Sequence, residues 1–431
     1  MGSRTLKRSR SVEQFDAFFW TALGAGSTLP ILRCFSEQLT GPAFSPHADI
    51  GAKPLVVSVE CLPGISSQRE QVEAGEGDCT PAGSKAGATL GSMPPNVPKV
   101  GIEKPPLPTL WVDTSVIIKI TKVERGEALQ DVEVQRCKRL RDLVRGLVRD
   151  GKLLFPESDQ EEEYVAQRLD DDVHRMFASL SLGISMTHRV GIQDSHIFHG
   201  MKAYAKGLAA IYLPYSTYFH GDPVRQLEEV RHERFFVSLG LSKGTEMLRR
   251  RADAKADIGR KWEELRQRLV AERQTYEKQL ELELHGYWDA LVELVKKFYA
   301  NMAAGRHDVW DFMGAHGAFL YRTYWRELGG QPPDWEGVYK FFCSTYFSEL
   351  PLPFVSCRLN ANLLTGNEAI APGDPMDVEL LSVALPVAHF VLADRRMELR
   401  IKQLGLDQKC NTEVYSMSTI DGLFARLEGL K

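Results

Sequence analysis

A chain of 431 residues, 43% hydrophobic and 26% charged, has an ordinary soluble globular composition and enough length for two or three domains. Its formal net charge of −4 excludes a global attraction to nucleic acid, so any basic surface must be local. The seven cysteines form no C-x-x-C pair and no run of short spacings, which argues against a disulfide scaffold and a structural zinc site.

The basic start "MGSRTLKRSRS" and the apolar piece "FDAFFWTALGAG" are a poor targeting signal, because Glu13 and Asp16 interrupt them and no small-residue cleavage site follows. No apolar run suits a membrane span, and the cytoplasm is the expected location. A short helix is expected within 10–38. From about 40 to 106, Gly, Pro, Ser and Ala dominate and no apolar period persists, so 1–106 is expected to be a largely disordered arm.

Order is expected from about Leu107. "TLWVD" has the short, apolar, β-rich character of a buried strand ending at Asp113. Val134, Cys137, Leu140, Leu143, Val144 and Leu147 recur at helical spacing, and Gly151 sits where a helix C-terminal glycine belongs. "KLLFP" predicts a second strand. Ser158 with Glu161 three residues later is a capping box for the next helix. Strand, helix, strand, helix is the grammar of a parallel α/β layer, assigned here to 107–199.

The rhythm breaks over 200–350. Trp262, Leu265, Leu269, Tyr276, Leu280, Leu284, Trp288, Leu291, Val295 and Phe298 step by three, four and seven, predicting a long helix or helical hairpin. Aromatic-rich helical stretches follow, so this part is a helical insertion. The α/β grammar returns over 351–431: a helix in "PMDVELLSVALPVA", a strand in "HFVLAD", a helix ended by Gly405, and a last strand "TEVYS".

Asp113 and Asp394 each close a predicted strand, and in open parallel sheets ligands bind beyond the carboxyl ends of strands. Asp377 lies near the start of the helix leading into the second of these strands. Glu161, Glu162 and Glu163 follow "KLLFP". Clustered carboxylates repel one another unless a cation joins them, and all-oxygen donors suit Mg²⁺ or Mn²⁺. Such a site serves phosphoryl transfer. Each acid also has a plainer reading: Asp113 and Asp394 as helix N-caps, Glu161–Glu163 and Asp377 as solvated charges in a first helical turn. Lys119, Lys122, Arg395 and Arg396 lie near the expected pocket. The run "MLRRRADAKADIGRKW" at 247–262 is either a nucleic-acid contact or a solvated face. His188, His196 and His199 are close in sequence but not at zinc spacing. No P-loop or G-x-G-x-x-G is present.

"LWVDTSVIIKI", "KLLFPESDQEEEY" and "GDPMDVELLSVALPVAHFVLADRRM" together resemble the PIN-domain nucleases, over the outer thirds of 107–417. The resemblance implies a three-layer α/β/α core with a parallel sheet, and Mg²⁺- or Mn²⁺-dependent phosphodiester hydrolysis, on RNA rather than DNA. It implies metal-holding roles for Asp113, Asp377, Asp394 and either Glu163 or Glu162, with Asp374 competing for the third position. Thr114 and Ser115 would support Asp113 or a ligand water. It also admits a toxin or defence role, a cognate protein inhibitor and a homodimer. The rival reading is a catalytically inactive PIN-like scaffold whose helical middle binds protein. A haloacid-dehalogenase-like phosphatase is disfavoured by Ser115, where that family has a second Asp.

Overall fold

The computed structural model describes residues 97–160, 170–231, 245–306 and 309–431, with only the backbone described at 170–171, 245–255 and 309–314. Almost all of the expected arm, and Glu161, Glu162 and Glu163, lie outside the described residues. The fold is an α/β mix, mostly helical, with a few short parallel strands in two small sheets.

In chain order the strands are β1 (Lys99–Ile102), β2 (Leu110–Val112), β3 (Ala210–Leu213), β4 (Phe390–Leu392) and β5 (Glu413–Tyr415). The helices are α1 (Thr114–Glu124), α2 (Asp131–Arg149), α3 (Asp170–Ser181), α4 (Arg189–Ala205), α5 (Pro223–Val230), α6 (Thr245–Ala271), α7 (Tyr276–Ala303) and α8 (Val309–Glu327). They continue as α9 (Asp334–Phe342), α10 (Thr345–Ser348), α11 (Pro351–Thr365), α12 (Asp374–Val387), α13 (Arg395–Gln403), α14 (Leu406–Cys410) and α15 (Ile420–Glu428).

The principal sheet runs β2-β4-β5, all parallel, with Val112 opposite Leu392 and Leu392 opposite Tyr415. "KLLFP" extends it by a single parallel bridge, Thr109 to Leu154, instead of a full strand. Pro156 accounts for the brevity, since proline has no N–H to continue the ladder. A further parallel bridge joins Glu157 to Ser185. Across the sheet the order is therefore the Ser185 segment, the Leu154 segment, β2, β4 and β5, and the chain reverses its direction of spread between β2 and β4.

Two strands were not anticipated. β1 lies inside the stretch read as arm, and it pairs in parallel with β3, inside the stretch read as all-helical. Order among the described residues thus begins some ten positions before Leu107. The helical reading of the middle otherwise holds. The long stripe is a pair, α6 and α7, separated at 272–275, where the Thr275 side chain accepts from the Lys278 N–H at 3.3 Å and caps α7. Both helices pack on α11. Trp262, Leu265 and Leu269 of α6 join the main core under the sheet, with Trp111, Ile117, Val144, Phe155, Leu385, Val391 and Phe424. A second core holds Met201, Ile211, Tyr287, Trp325, Phe341 and Phe347. Gly151 (φ 70°) and Gly405 (φ 64°) occupy the left-handed conformation that ends α2 and α13.

α12 carries buried residues on nearly every face, as a central helix does. Its end is tied by Lys104, whose Nζ donates to Ala388 O at 2.6 Å and to Thr412 Oγ1 at 2.9 Å. Burial lowers the pKa of Lys104 to about 8.

Candidate functional site

The chain leaves β2 at Asp113, which is 5% exposed and immediately precedes α1. Its N–H donates to Leu392 O of β4 at 2.8 Å, and its Oδ1 accepts from the Ser115 N–H at 2.7 Å. β4 ends in the same way. Asp394 precedes α13, and its Oδ1 accepts from the N–H groups of Arg396 at 2.6 Å and Met397 at 3.0 Å. Both aspartates are genuine helix N-caps, as the plainer reading held. They also stand side by side, because β2 and β4 are adjacent with Val112 opposite Leu392. A carboxylate at the amide end of a helix is favoured by the dipole, so the capping role keeps negative charge at this edge. The two readings do not compete.

The first turn of α12 brings Asp374 and Asp377. Asp374 is 4% exposed, accepts from the Ala371 N–H at 2.8 Å, and pairs with Arg396 Nη2 at 3.3 Å. Burial raises its pKa, opposed by the Ala371 N–H and by Arg396, while the charge of Asp394 raises it further. Asp374 and Asp394 therefore share one electrostatic environment. Arg396 also donates to Ala369 O at 2.7 Å, and Arg400 donates to Asn362 Oδ1 at 2.6 Å and Glu368 Oε2 at 2.8 Å. These bonds make Asp374 part of a fixed frame, and Asp377 is half-buried in the same helical turn.

Two more polar groups belong to the neighbours of Asp113: Thr114 follows it in the chain, and Gln160 bonds to Val112, which precedes it. Thr114 is 2% exposed and Gln160 fully buried, and neither Thr114 Oγ1 nor Gln160 Oε1 has a hydrogen-bond partner among the described residues. A buried polar group left in that state costs about 1–3 kcal/mol, so water or a ligand is expected there. Gln160 Nε2 donates to Val112 O at 2.6 Å. Ser115 is exposed and supports Asp113 through its backbone N–H.

Of the expected capping box, only Ser158 falls among the described residues. Ser158 Oγ accepts from Trp111 Nε1 at 3.1 Å, which fixes the turn against β2, and the Glu161 half lies outside the described residues. Asp159 accepts from the Arg189 N–H at 2.9 Å and faces His188 Nε2 at 3.7 Å. Arg189 Nη2 in turn pairs with Glu379 of α12 at 3.5 Å. Burial pushes Glu379 up to about 7, against the pull of Arg189. Burial also lowers the pKa of His188.

The other expectations are placed as follows. Lys119 pairs with Glu133 at 2.8 Å, and Arg395 is exposed. Within 256–262, Arg260 and Lys261 pair with Asp257, and Arg260 also with Glu264, in keeping with a solvated face. The histidines take separate roles: His188 caps α4, His196 is fully buried, and His199 Nδ1 meets Ser195 O at 2.8 Å. Among the described cysteines, Cys137, Cys343, Cys357 and Cys410 are free.

No family model, curated protein or solved structure matches this chain. The site must be judged on its own chemistry. Among the described residues, no three of His, Cys, Asp or Glu gather into a group able to hold a metal ion. The donors at and next to the two strand ends are nevertheless hard oxygens: Asp113, Asp394, and Thr114 Oγ1 and Gln160 Oε1, both without a partner among the described residues; Asp377 is not gathered with the two aspartates. That set fits Mg²⁺ or Mn²⁺ in donor type, and no soft ligand is among it. No described helix is long and apolar enough to cross a membrane. Sequence reasoning missed Gln160 and the Asp159–Arg189–Glu379 chain. Nothing distinguishes Gln160 in sequence from an ordinary loop glutamine, and the chain joins residues more than two hundred positions apart.

Proposed function

We propose that the chain is a metal-dependent phosphodiesterase acting on RNA, built on a PIN-like α/β/α core with a large helical insertion. The observation that carries this reading is the position of Asp113 and Asp394, at the carboxyl ends of adjacent parallel strands on either side of the point where strand order reverses. Such a crevice is where open α/β sheets bind their ligands. Bound Mg²⁺ or Mn²⁺ would supply an activated water and charge to stabilise the departing oxygen. Asp113 and Asp394 would hold it. Glu163 and Glu162 remain candidates from outside the described residues. Asp113 and Asp394 are oriented by the helix amides they cap, and the Thr114 hydroxyl, without a partner among the described residues, would support Asp113 or a ligand water. Arg395, exposed at the first position of α13, would take a phosphate of the strand.

Full-length protein with Mn²⁺ and single-stranded RNA tests the reading. Cleavage is expected to fall at least about a hundredfold in Asp113→Asn and in Asp394→Asn, since each removes a ligand charge at the reacting centre. The second reading is an inactive scaffold whose helical middle binds a protein partner, and the absence of a three-residue metal group among the described residues favours it. It predicts no cleavage by the wild type, or equal cleavage by wild type and both variants from a contaminant.

A further inference from the structure

Arg396 and Arg400 stand one turn apart on α13, the helix that Asp394 caps. Arg400 is 7% exposed. Its Nη1 donates to Asn362 Oδ1 of α11 at 2.6 Å, and its Nη2 donates to Glu368 Oε2 at 2.8 Å. Its Nε is buried and has no partner among the described residues. Nε and Nη2 lie along one edge of a guanidinium, the edge that grips a carboxylate or phosphate with two parallel bonds. Glu368 fills only half of that edge. The same Oε2 faces Arg396 Nε at 3.6 Å, while Arg396 Nη2 is held by Ala369 O at 2.7 Å and Asp374 Oδ2 at 3.3 Å. One carboxylate oxygen thus sits between two guanidinium groups.

The arginines and the acid are held differently. Asn362, Ala369 and Asp374 fix the two guanidinium groups, and the backbone around Glu368 is tied to α6. Gly366 O accepts from Arg266 Nη1 at 3.0 Å, and the Ile370 N–H donates to Glu263 Oε2 at 2.8 Å. The Glu368 side chain itself is 67% exposed. An ion pair with one partner in water is weak, so the carboxylate can leave while the arginines stay in place. We propose that Arg396 and Arg400 form a subsite for a phosphate of single-stranded RNA, which Glu368 occupies until the strand displaces it. The inference rests on the RNA reading above. It adds a backbone contact beside Asp394, whose Oδ1 accepts from the Arg396 N–H at 2.6 Å. A phosphate in place of the carboxylate has oxygens enough to meet the whole edge of Arg400 and the Arg396 Nε together. Exchange of one anion for another also never leaves Arg400 buried without a counter-charge.

Fluorescence anisotropy of a short labelled oligouridylate with the full chain in chelator, beside thermal melting, tests this. Glu368→Gln removes the competing charge and is expected to tighten binding about threefold, the strength of an exposed ion pair. Arg400→Lys keeps the charge but loses the two-donor edge, and should weaken binding about tenfold. Arg396→Gln, at a half-buried position, stands in for it should the lysine variant not fold. In the double variant the gain from Glu368→Gln should disappear, because both residues act at one subsite. A gain that persists in full there is a general charge effect and overturns the proposal. Wild-type RNA affinity in the single variants, with a lowered melting midpoint, marks a purely structural ion pair and overturns it too. Mn²⁺-dependent cleavage that Asp113→Asn loses separates the two ideas: where it is seen, either result sinks the subsite alone. If the wild type neither binds nor cleaves RNA, the RNA reading and the subsite fail together.

Discussion

Replacing His196 with leucine should remove a specific acid sensitivity from the fold. His196 on α4 is fully buried, its ring meets Tyr218 edge-on at 5.3 Å, and neither ring nitrogen has a partner among the described residues. Burial, helped by the charge of His199, lowers its pKa from 6.5 to about 3. In the unfolded chain the imidazole takes up a proton as pH falls below 6.5, while the folded chain refuses it until about pH 3. The unfolded state thus binds more protons over that window, and stability is lost as pH falls through it. At pH 5.0 the loss from this residue is about 2 kcal/mol, from ~1.36 kcal/mol per pH unit below the unfolded pKa. Leucine has a similar volume and no proton to take. At pH 7.5 the variant is expected to equal or slightly exceed the wild type, since two unpartnered nitrogens are gone. Urea unfolding of both proteins at pH 7.5 and 5.0 gives the comparison. Wild type should lose about 2 kcal/mol more than His196→Leu between the two conditions. Parallel losses would show that a buried partner receives the imidazolium, and the reasoning would fail.

Glu379 has the opposite sign: its folded pKa is raised to about 7 by burial, so the folded state holds a proton that the unfolded state gives up near 4.5, and stability falls as pH rises through that interval. Glu379→Gln should flatten this slope by up to about 3 kcal/mol, seen as a smaller drop in urea midpoint from pH 4.5 to 8; an unchanged slope would contradict it. Gly337→Ala would drive a Cβ into Pro332 O and the Trp325 indole, whose Nε1 donates to Pro332 O at 2.8 Å. A loss of about 1–3 kcal/mol and a lower melting midpoint are expected, and a wild-type midpoint would refute the close contact. Asp374→Asn breaks the charge pairing with Arg396 and should lower the melting midpoint with cation affinity largely kept. Lost cation affinity with an unchanged midpoint would show Asp374 to be a ligand.

The legible part of the fold is the part whose signal is local. "TLWVD" and "HFVLAD" each announce a short buried strand followed by an aspartate cap, and both junctions form as expected. Cys137, Leu140, Leu143, Val144 and Leu147 lie on one buried stripe of α2, and two glycines at positive φ mark helix ends. β1 and β3 were hidden because a four-residue parallel pair leaves almost no periodicity, and proline-rich sequence surrounds the first of them. Ser158 takes a tertiary bond from Trp111, which sequence spacing does not report, and the Glu161 half of its expected capping box lies outside the described residues. For the site, sequence order reached Asp113 and Asp394, because strand ends are readable. It left Asp374 and Asp377 undecided, because the contact that ties Asp374 to Arg396 crosses from α13 to α12. Glu162 and Glu163 fall outside the described residues. Gln160 is tied to β2 by its bond to Val112 O, a contact that has no sequence signature.

A crystal soaked in MnCl₂ and measured at the manganese absorption edge tests the central claim most directly. The account predicts an anomalous peak beyond the carboxyl ends of β2 and β4, within coordination distance, about 2.0–2.3 Å, of carboxylate oxygens from Asp113 and Asp394. Fully occupied Mn²⁺ sites elsewhere, with no manganese beside either aspartate, would contradict it.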